Sequence, residues 1–177
     1  KVNLREESEI EAMVAKTMET FGRIDILINN AGALWWRNVT DTPVKKFDLV
    51  MDVNARAAYA TTYHCLPHMV KSDYGHIINM SPPIDMGMLP GKVAYSISKF
   101  GMTIIAQGVA AEHRGKNIAA NSLWPATMVE SQAAINFGLG TPQNWRKPSV
   151  LTDAALAILS HEPRELSGYT LLDEEIL

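Results

Sequence analysis

The sequence predicts an α/β protein built on a parallel sheet, and three observations carry that prediction. Short β-branched runs alternate with helical stretches of roughly 10 to 20 residues, the pattern of strands joined by crossover helices. Of 177 residues, 47% are hydrophobic and 20% charged, the composition of a chain that builds one core. The candidate strands end in polar turns marked by glycine or proline, and open parallel sheets bind ligands at such exits.

The elements follow in order. Ile10, Met13, Val14, Met18 and Phe21 recur at helical spacing after an acidic start, and Gly22 stops that helix. Residues 24–28 form a first strand that runs into the turn Asn29-Asn30-Ala31-Gly32. Thr42-Pro43 supplies an N-cap and a proline at the first helical position for a helix over 43–53. A further helix covers 55–71. Gly75 resets the pattern before a second buried strand, His76-Ile77-Ile78-Asn79-Met80. Three prolines and two glycines make residues 81–93 a loop. A long, mostly apolar helix over 94–113 is closed by Arg114-Gly115, and a third strand over 118–124 is stopped by Pro125. Residues 126–150 are irregular, with short helical pieces around 133–137. Thr152 caps a small helix reaching Leu159, and residues 168–172 form a fourth strand.

Composition also excludes functions. Sixteen basic against nineteen acidic residues give a net charge of −3, which leaves no surplus to neutralise the phosphates of a nucleic acid. A single cysteine, Cys65, forms no internal bridge and fits a reducing compartment such as the cytoplasm. No apolar run approaches the roughly 20 residues of a membrane-spanning helix. The chain begins at Lys1 rather than Met, so it reads as part of a longer protein whose targeting is not visible here.

The strongest chemical pattern is Tyr95-Ser96-Ile97-Ser98-Lys99. Residues four apart share a helix face, so the phenol and the ammonium sit one turn apart. A cation that close favours the phenolate and predicts a tyrosine pKa lowered towards neutrality, suited to moving a proton to or from an alcohol or carbonyl. Taken alone, such a pair is common on helices.

Taken in order, Asn29-Asn30-Ala31-Gly32, Asn54, and Tyr95 with Lys99 resemble the short-chain dehydrogenase/reductase family over essentially the whole chain. Residues 25–31, Asn79-Met80-Ser81-Pro82-Pro83, Leu123-Trp124-Pro125 and the terminal Asp173-Glu174-Glu175-Ile176-Leu177 are similar to its hydroxysteroid dehydrogenase-like protein 2 group. The resemblance implies a partial doubly wound (Rossmann-like) sheet, lacking the first strands and the glycine-rich loop. Residues 1–177 would then be the C-terminal part, about two-thirds, of the family's domain. It implies NAD or NADP as cofactor and an alcohol/carbonyl pair as substrate. Tyr95 would be the general acid/base, Lys99 would tune it and bind the nicotinamide ribose, and Asn54 would hold a relay water. Asn29, Ala31, Gly32, Pro125 and Thr127 would face the cofactor.

Three departures from the family pattern bear on activity. The glycine-rich phosphate loop is absent from residues 1–177, which predicts weak cofactor binding and an inactive chain when these residues stand alone. The position of the family's catalytic serine holds Pro82, which has no donor, and Ser81 beside it is the candidate substitute. The usual Pro-Gly after the third strand is Pro125-Ala126.

Other features invite bland readings as readily as functional ones. His64 and His68 are helical neighbours around Cys65 with no further ligand cluster, so no metal is expected. Trp35, Trp36 and Trp124, with Met86, Met88 and Leu89, line an apolar substrate pocket or pack as core. Small residues on the two long helices, Ala57, Ala58, Ala60, Ala106 and Ala110, permit close packing, and the resemblance implies a homo-oligomer. The alternative to an oxidoreductase is a catalytically impaired fragment or a non-catalytic binding or scaffold member of the same fold.

Overall fold

Four parallel strands lie in the order β1 (Ile26–Asn29), β2 (Gly75–Met80), β3 (Ile118–Trp124) and β4 (Thr170–Leu172) in a computed structural model of the protein. It describes residues 1–177, the side chain of Met88 apart. The register pairs Ile26 with His76, Ile77 with Ala120 and Leu123 with Leu171. Parallel pairing forces each connection to cross back over the sheet, and helices make the crossings.

Helix α1 (Glu7–Phe21) precedes β1 and ends at Gly22, whose φ of 75° is a left-handed C-cap that costs glycine least. Helices α2 (Val44–Val50) and α3 (Ala57–Ser72) lead to β2, and α4 (Val93–Glu112) leads to β3. Short α5 (Gln132–Phe137) and α6 (Ser149–Leu159) precede β4, and α7 (Asp173–Ile176) follows it directly.

Several boundaries differ from expectation for local reasons. β1 starts at Ile26 rather than residue 24: the register sets Gly75, the first residue of β2, opposite Asp25, whose carbonyl accepts from His76 N at 2.8 Å, and leaves Ile24 with no partner. The helices expected over 43–53 and 55–71 form one continuous run, joined by a π-helical segment at Met51–Arg56. Thr42 is not the cap: its hydroxyl donates to Asn38 O at 2.8 Å, and Pro43 takes the N-cap position. Thr152 lies inside α6, which starts after Pro148, a residue whose ring already fixes φ near −57°. Gly168, at φ 86°, is a bend ahead of β4.

Alternation along the strands divides the core in two. One cluster, with Val14, Met69, Ile77, Ala106 and Ile118, lies between the sheet and α1, α3 and α4. The other, with Ile78, Met80, Leu123, Ala154 and Ile158, lies under α6. Edge strand β1 leaves Ile26 and Ile28 exposed on that second face, at 47% and 44%.

Candidate active site

The three strand exits build one cavity of about 460 Å³ at the carboxyl ends of the sheet. Asn30 and Gly32 come from beyond β1, Met80 and Pro82 from the end of β2, and Trp124 with Pro125 from the end of β3. The first turns of α4 close the site with Tyr95 and Lys99, which both line it. Apolar groups dominate the lining, among them Trp36, Phe100 and Leu151.

Lys99 is 5% exposed. Its ammonium donates to Met80 O at 2.7 Å, lies 3.6 Å from Met102 Sδ and stands 5.3 Å from the Trp124 ring centre. Burial pushes its pKa down to about 8, because a dry site disfavours the charged form. Burial pushes the Tyr95 phenol up from its ordinary value. This corrects the expectation of a phenol lowered by its neighbour. Lys99 directs its ammonium at the β2 carbonyl, no hydrogen bond joins it to Tyr95, and desolvation dominates.

Asn54 is fully buried inside the π-helical segment. Its amide clamps the β1 exit: Oδ1 accepts from Ala33 N at 2.7 Å, and Nδ2 donates to Ala33 O at 2.9 Å. Nδ2 also donates to Ser98 Oγ at 2.8 Å, which donates to Tyr95 O. The side chain therefore braces the loop against α4 and has no free donor to hold a water. A Cβ on Gly32 would lie 3.3 Å from Asn54 Oδ1 and 3.5 Å from Lys99 Nζ, so the missing side chain keeps this approach open.

Two expected members stand behind the cavity wall. Asn29 points towards the helices, donating from Nδ2 to Asn79 Oδ1 at 2.8 Å and accepting from Thr61 Oγ1 at 2.7 Å. The next residue, Asn30, faces the cavity instead, as alternation along a strand requires. Ser81 is fully buried, its hydroxyl engaged by Thr103 at 2.9 Å and Ser122 at 3.2 Å, while Pro82 stands in the wall. Convergence of Asn29 and Ser81 on Tyr95 is thus not what the structure holds.

Pro125, Ala126 and Thr127 all line the cavity, and Ala31 is exposed beside it. Trp36 and Trp124 are lining residues; Trp35 instead donates to Thr42 Oγ1 at 3.3 Å. Met86 and Leu89 are not in the lining, and the side chain of Met88 lies outside the described residues. His64 faces Glu7 on α1 at 3.4 Å. Among the described residues no group of three or more His, Cys, Asp or Glu could hold a metal.

Sequence reasoning missed two contributors. Asp173 is fully buried, accepts from Ala126 N at 2.7 Å and pairs with Arg146 at 2.7 Å, which pins the β3 exit. No local pattern marks it, because its partners lie far away in sequence. Lys92 lines the cavity three residues before Tyr95, and that spacing was a visible signal.

The family model for short chain dehydrogenases matches residues 1–138. The chain belongs to the short chain dehydrogenase family. A hydroxysteroid dehydrogenase-like protein 2 of Xenopus tropicalis is 42% identical over 99% of this chain and 42% of its own length. A Xanthomonas campestris protein provisionally described as a dehydrogenase superposes with a TM-score of 0.93 at 38% identity, covering 99% of this chain and 65% of its own. A metagenomic short-chain oxidoreductase solved in complex with NADP shares the fold, with a TM-score of 0.80 at 21% identity, over 97% and 71% of the two chains. The chain spans about two-fifths of the length of the curated relatives it matches. As a dehydrogenase-family chain it has the Rossmann-like parallel sheet with flanking helices expected of it, and among the described residues no helix is long and apolar enough to cross a membrane.

Proposed function

We propose that the protein interconverts an alcohol and a carbonyl compound with NAD or NADP, and that residues 1–177 are the C-terminal two-thirds of its catalytic domain. One observation carries the reading: Tyr95 and Lys99 share one face of α4 and both line an apolar cavity at the strand exits. The nicotinamide half of the cofactor fits the residues present. The open backbone at Gly32, the Lys99 ammonium and the Thr127 hydroxyl offer a cradle and donors in the cavity that Tyr95 also lines. When bound, the nicotinamide supplies or accepts the hydride, and proton handling falls to the chain.

Tyr95 holds its proton at neutral pH, since burial raises its pKa, and is therefore set to donate to a carbonyl oxygen during reduction. In the reverse direction the same oxygen first gives its proton to solvent and, as the phenolate, receives the alcohol proton. Lys99 supplies the cation one helical turn from Tyr95, its ammonium held by Met80 O and Met102 Sδ. Asn54 and Ser81 are positioning residues in this reading: Asn54 braces the β1 exit, and Ser81 anchors the β2 exit through Thr103 and Ser122. Exposed Tyr59, Tyr63, Ile97 and Ile104 on α3 and α4 form the face through which a homo-oligomer would assemble. Ala57, Ala58, Ala60 and Ala106 are buried within the subunit and are not that face.

Turnover of NADH or NADPH by the full-length protein against a panel of carbonyl compounds tests the reading. Activity in the wild type that is lost in Tyr95→Phe supports it. Wild-type and Tyr95→Phe proteins that both lack turnover favour the non-catalytic reading, for which Pro82 in the wall is the motivating observation.

A further inference from the structure

We propose that the cavity selects substrates that carry a carboxylate on an apolar body, and that Lys92 recognises the carboxylate. This rests on the dehydrogenase reading for the reaction, and on the lining alone for the selectivity. The charged residues of the lining are Lys92 and Lys99; no aspartate or glutamate faces the cavity. Lys99 donates to Met80 O and, on the proposed reading, turns its remaining donors to the cofactor. The half-buried Lys92 ammonium lies 4.4 Å over the ring of Trp36, another wall residue, and has no ion pair among the described residues. Trp36 Nε1 is itself buried without a partner.

Spacing gives the cation its place in the reaction. Lys92 is the residue just before α4, Tyr95 lies in its first turn and Lys99 one turn further on, and all three line the same cavity with Tyr95 between the lysines in the chain. On the dehydrogenase reading Lys99 and Gly32 take the cofactor side, and Lys92 takes the substrate side, linked to Tyr95 through Trp36, whose ring centre lies 6.0 Å from that of Tyr95. α4 also starts without a side-chain cap, so its first N–H groups favour an anion at the same end. An anion at Lys92 with its carbonyl at Tyr95 has Trp124, Met128 and Leu151 in the remaining wall for its apolar part. Neutral ligands of the same length leave the cation unpaired, and anions without an apolar body leave that wall unfilled.

Calorimetry on the full-length protein without cofactor tests the proposal, with octanoate and its neutral analogue octanamide as probes. Octanoate is expected to bind about tenfold tighter, a preference that falls with added salt. Lys92→Met should remove the preference while keeping octanamide binding, and Lys92→Arg should restore it. A wild type that binds both equally, or a preference that survives Lys92→Met, overturns the proposal. NADPH titrated in parallel separates the two sources of anion. An unchanged NADPH affinity in Lys92→Met supports substrate recognition, whereas loss of NADPH binding with the octanoate preference intact assigns Lys92 to cofactor phosphate and overturns it. Tyr95→Phe should keep the preference, so failure of the turnover reading and failure of this one are seen apart.

Discussion

Lys92 and Lys99 are the same residue type in the wall of one cavity, and the protein surrounds them in opposite ways. Lys99 is dry, bonded to Met80 O and pushed down to about 8. Lys92 is half-buried over Trp36 and carries no carboxylate partner among the described residues. The contrast teaches that nearness to Tyr95 does not set a lysine's role. Desolvation and a fixed acceptor make one a rigid part of the machinery, while a snorkelling stem leaves the other free to meet a ligand.

The largest effect should separate them at once. On the proposed reading, Tyr95→Phe and Lys99→Met are each expected to lower kcat of the full-length protein by about 10³-fold, the range for a lost general acid/base or the cation that sets it. Lys92→Met should change kcat for an uncharged carbonyl substrate by less than about threefold. Steady-state kinetics checks this, and equal losses at both lysines would erase the contrast.

Next in size is the bracing of the Lys99 end. Asn54→Ala removes three hydrogen bonds and strands the half-buried peptide groups of Ala33. The expected cost is about 3 kcal/mol of stability, together with a drop in kcat. Chemical denaturation of wild type and variant measures the first, and a change below about 1 kcal/mol would show the clamp to be dispensable.

Much of this arrangement was legible in the sequence, for identifiable reasons. The strands announce themselves because a two-sided parallel sheet demands near-continuous apolar runs, as in His76-Ile77-Ile78-Asn79-Met80, all buried. Tyr95 and Lys99 were legible because helical spacing alone fixes a shared face. Asn29 and Ser81 were misplaced because their faces depend on strand phase: register turns Asn29 towards Thr61 and Ser81 towards Thr103, away from the cavity. The π-helical segment at Met51–Arg56 has no compositional mark, since the ordinary helix formers around it suit either winding. The Asp173–Arg146 pin depends on chain distance that no local pattern records.

A smaller effect is visible in pH. The folded protein lowers the Lys99 pKa from 10.5 to about 8, so between those values the unfolded chain binds a proton that the folded chain lacks. Stability from this group is therefore greatest above the unfolded value, rises with pH across that window, and is lost as pH falls through about 8. Lys99→Met should abolish the slope. At pH 7 its net stability should change little, because removing the burial cost and orphaning Met80 O, each on the order of 2 kcal/mol, oppose one another. Thermal melts from pH 7 to 10.5 check this; Lys92→Met should keep the wild-type slope, and a slope that persists in Lys99→Met assigns it elsewhere.

The smallest effect belongs to the β2 exit, where one peptide bond repeats the contrast between a committed group and a free wall position. Ser81 has its hydroxyl taken by Thr103 and Ser122, whereas Pro82 faces the cavity with nothing to donate. Ser81→Ala removes these contacts but leaves Thr103 Oγ1 donating to Pro82 O at 2.7 Å, so the wall keeps its place. The expected outcome is a loss of about 1 kcal/mol in stability with kcat within about twofold of wild type. Pro82→Ser, by contrast, puts a donor into the wall near Tyr95, and a hydrogen bond to the developing oxyanion should raise kcat by about tenfold for a carbonyl that sits there. A tenfold fall in kcat for Ser81→Ala, with its melting curve intact, would mean that the serine reaches substrate after all and that the β2 exit rearranges when ligand binds. Equal kcat values for wild type, Ser81→Ala and Pro82→Ser would mean that the reacting oxygen is held by Tyr95 alone.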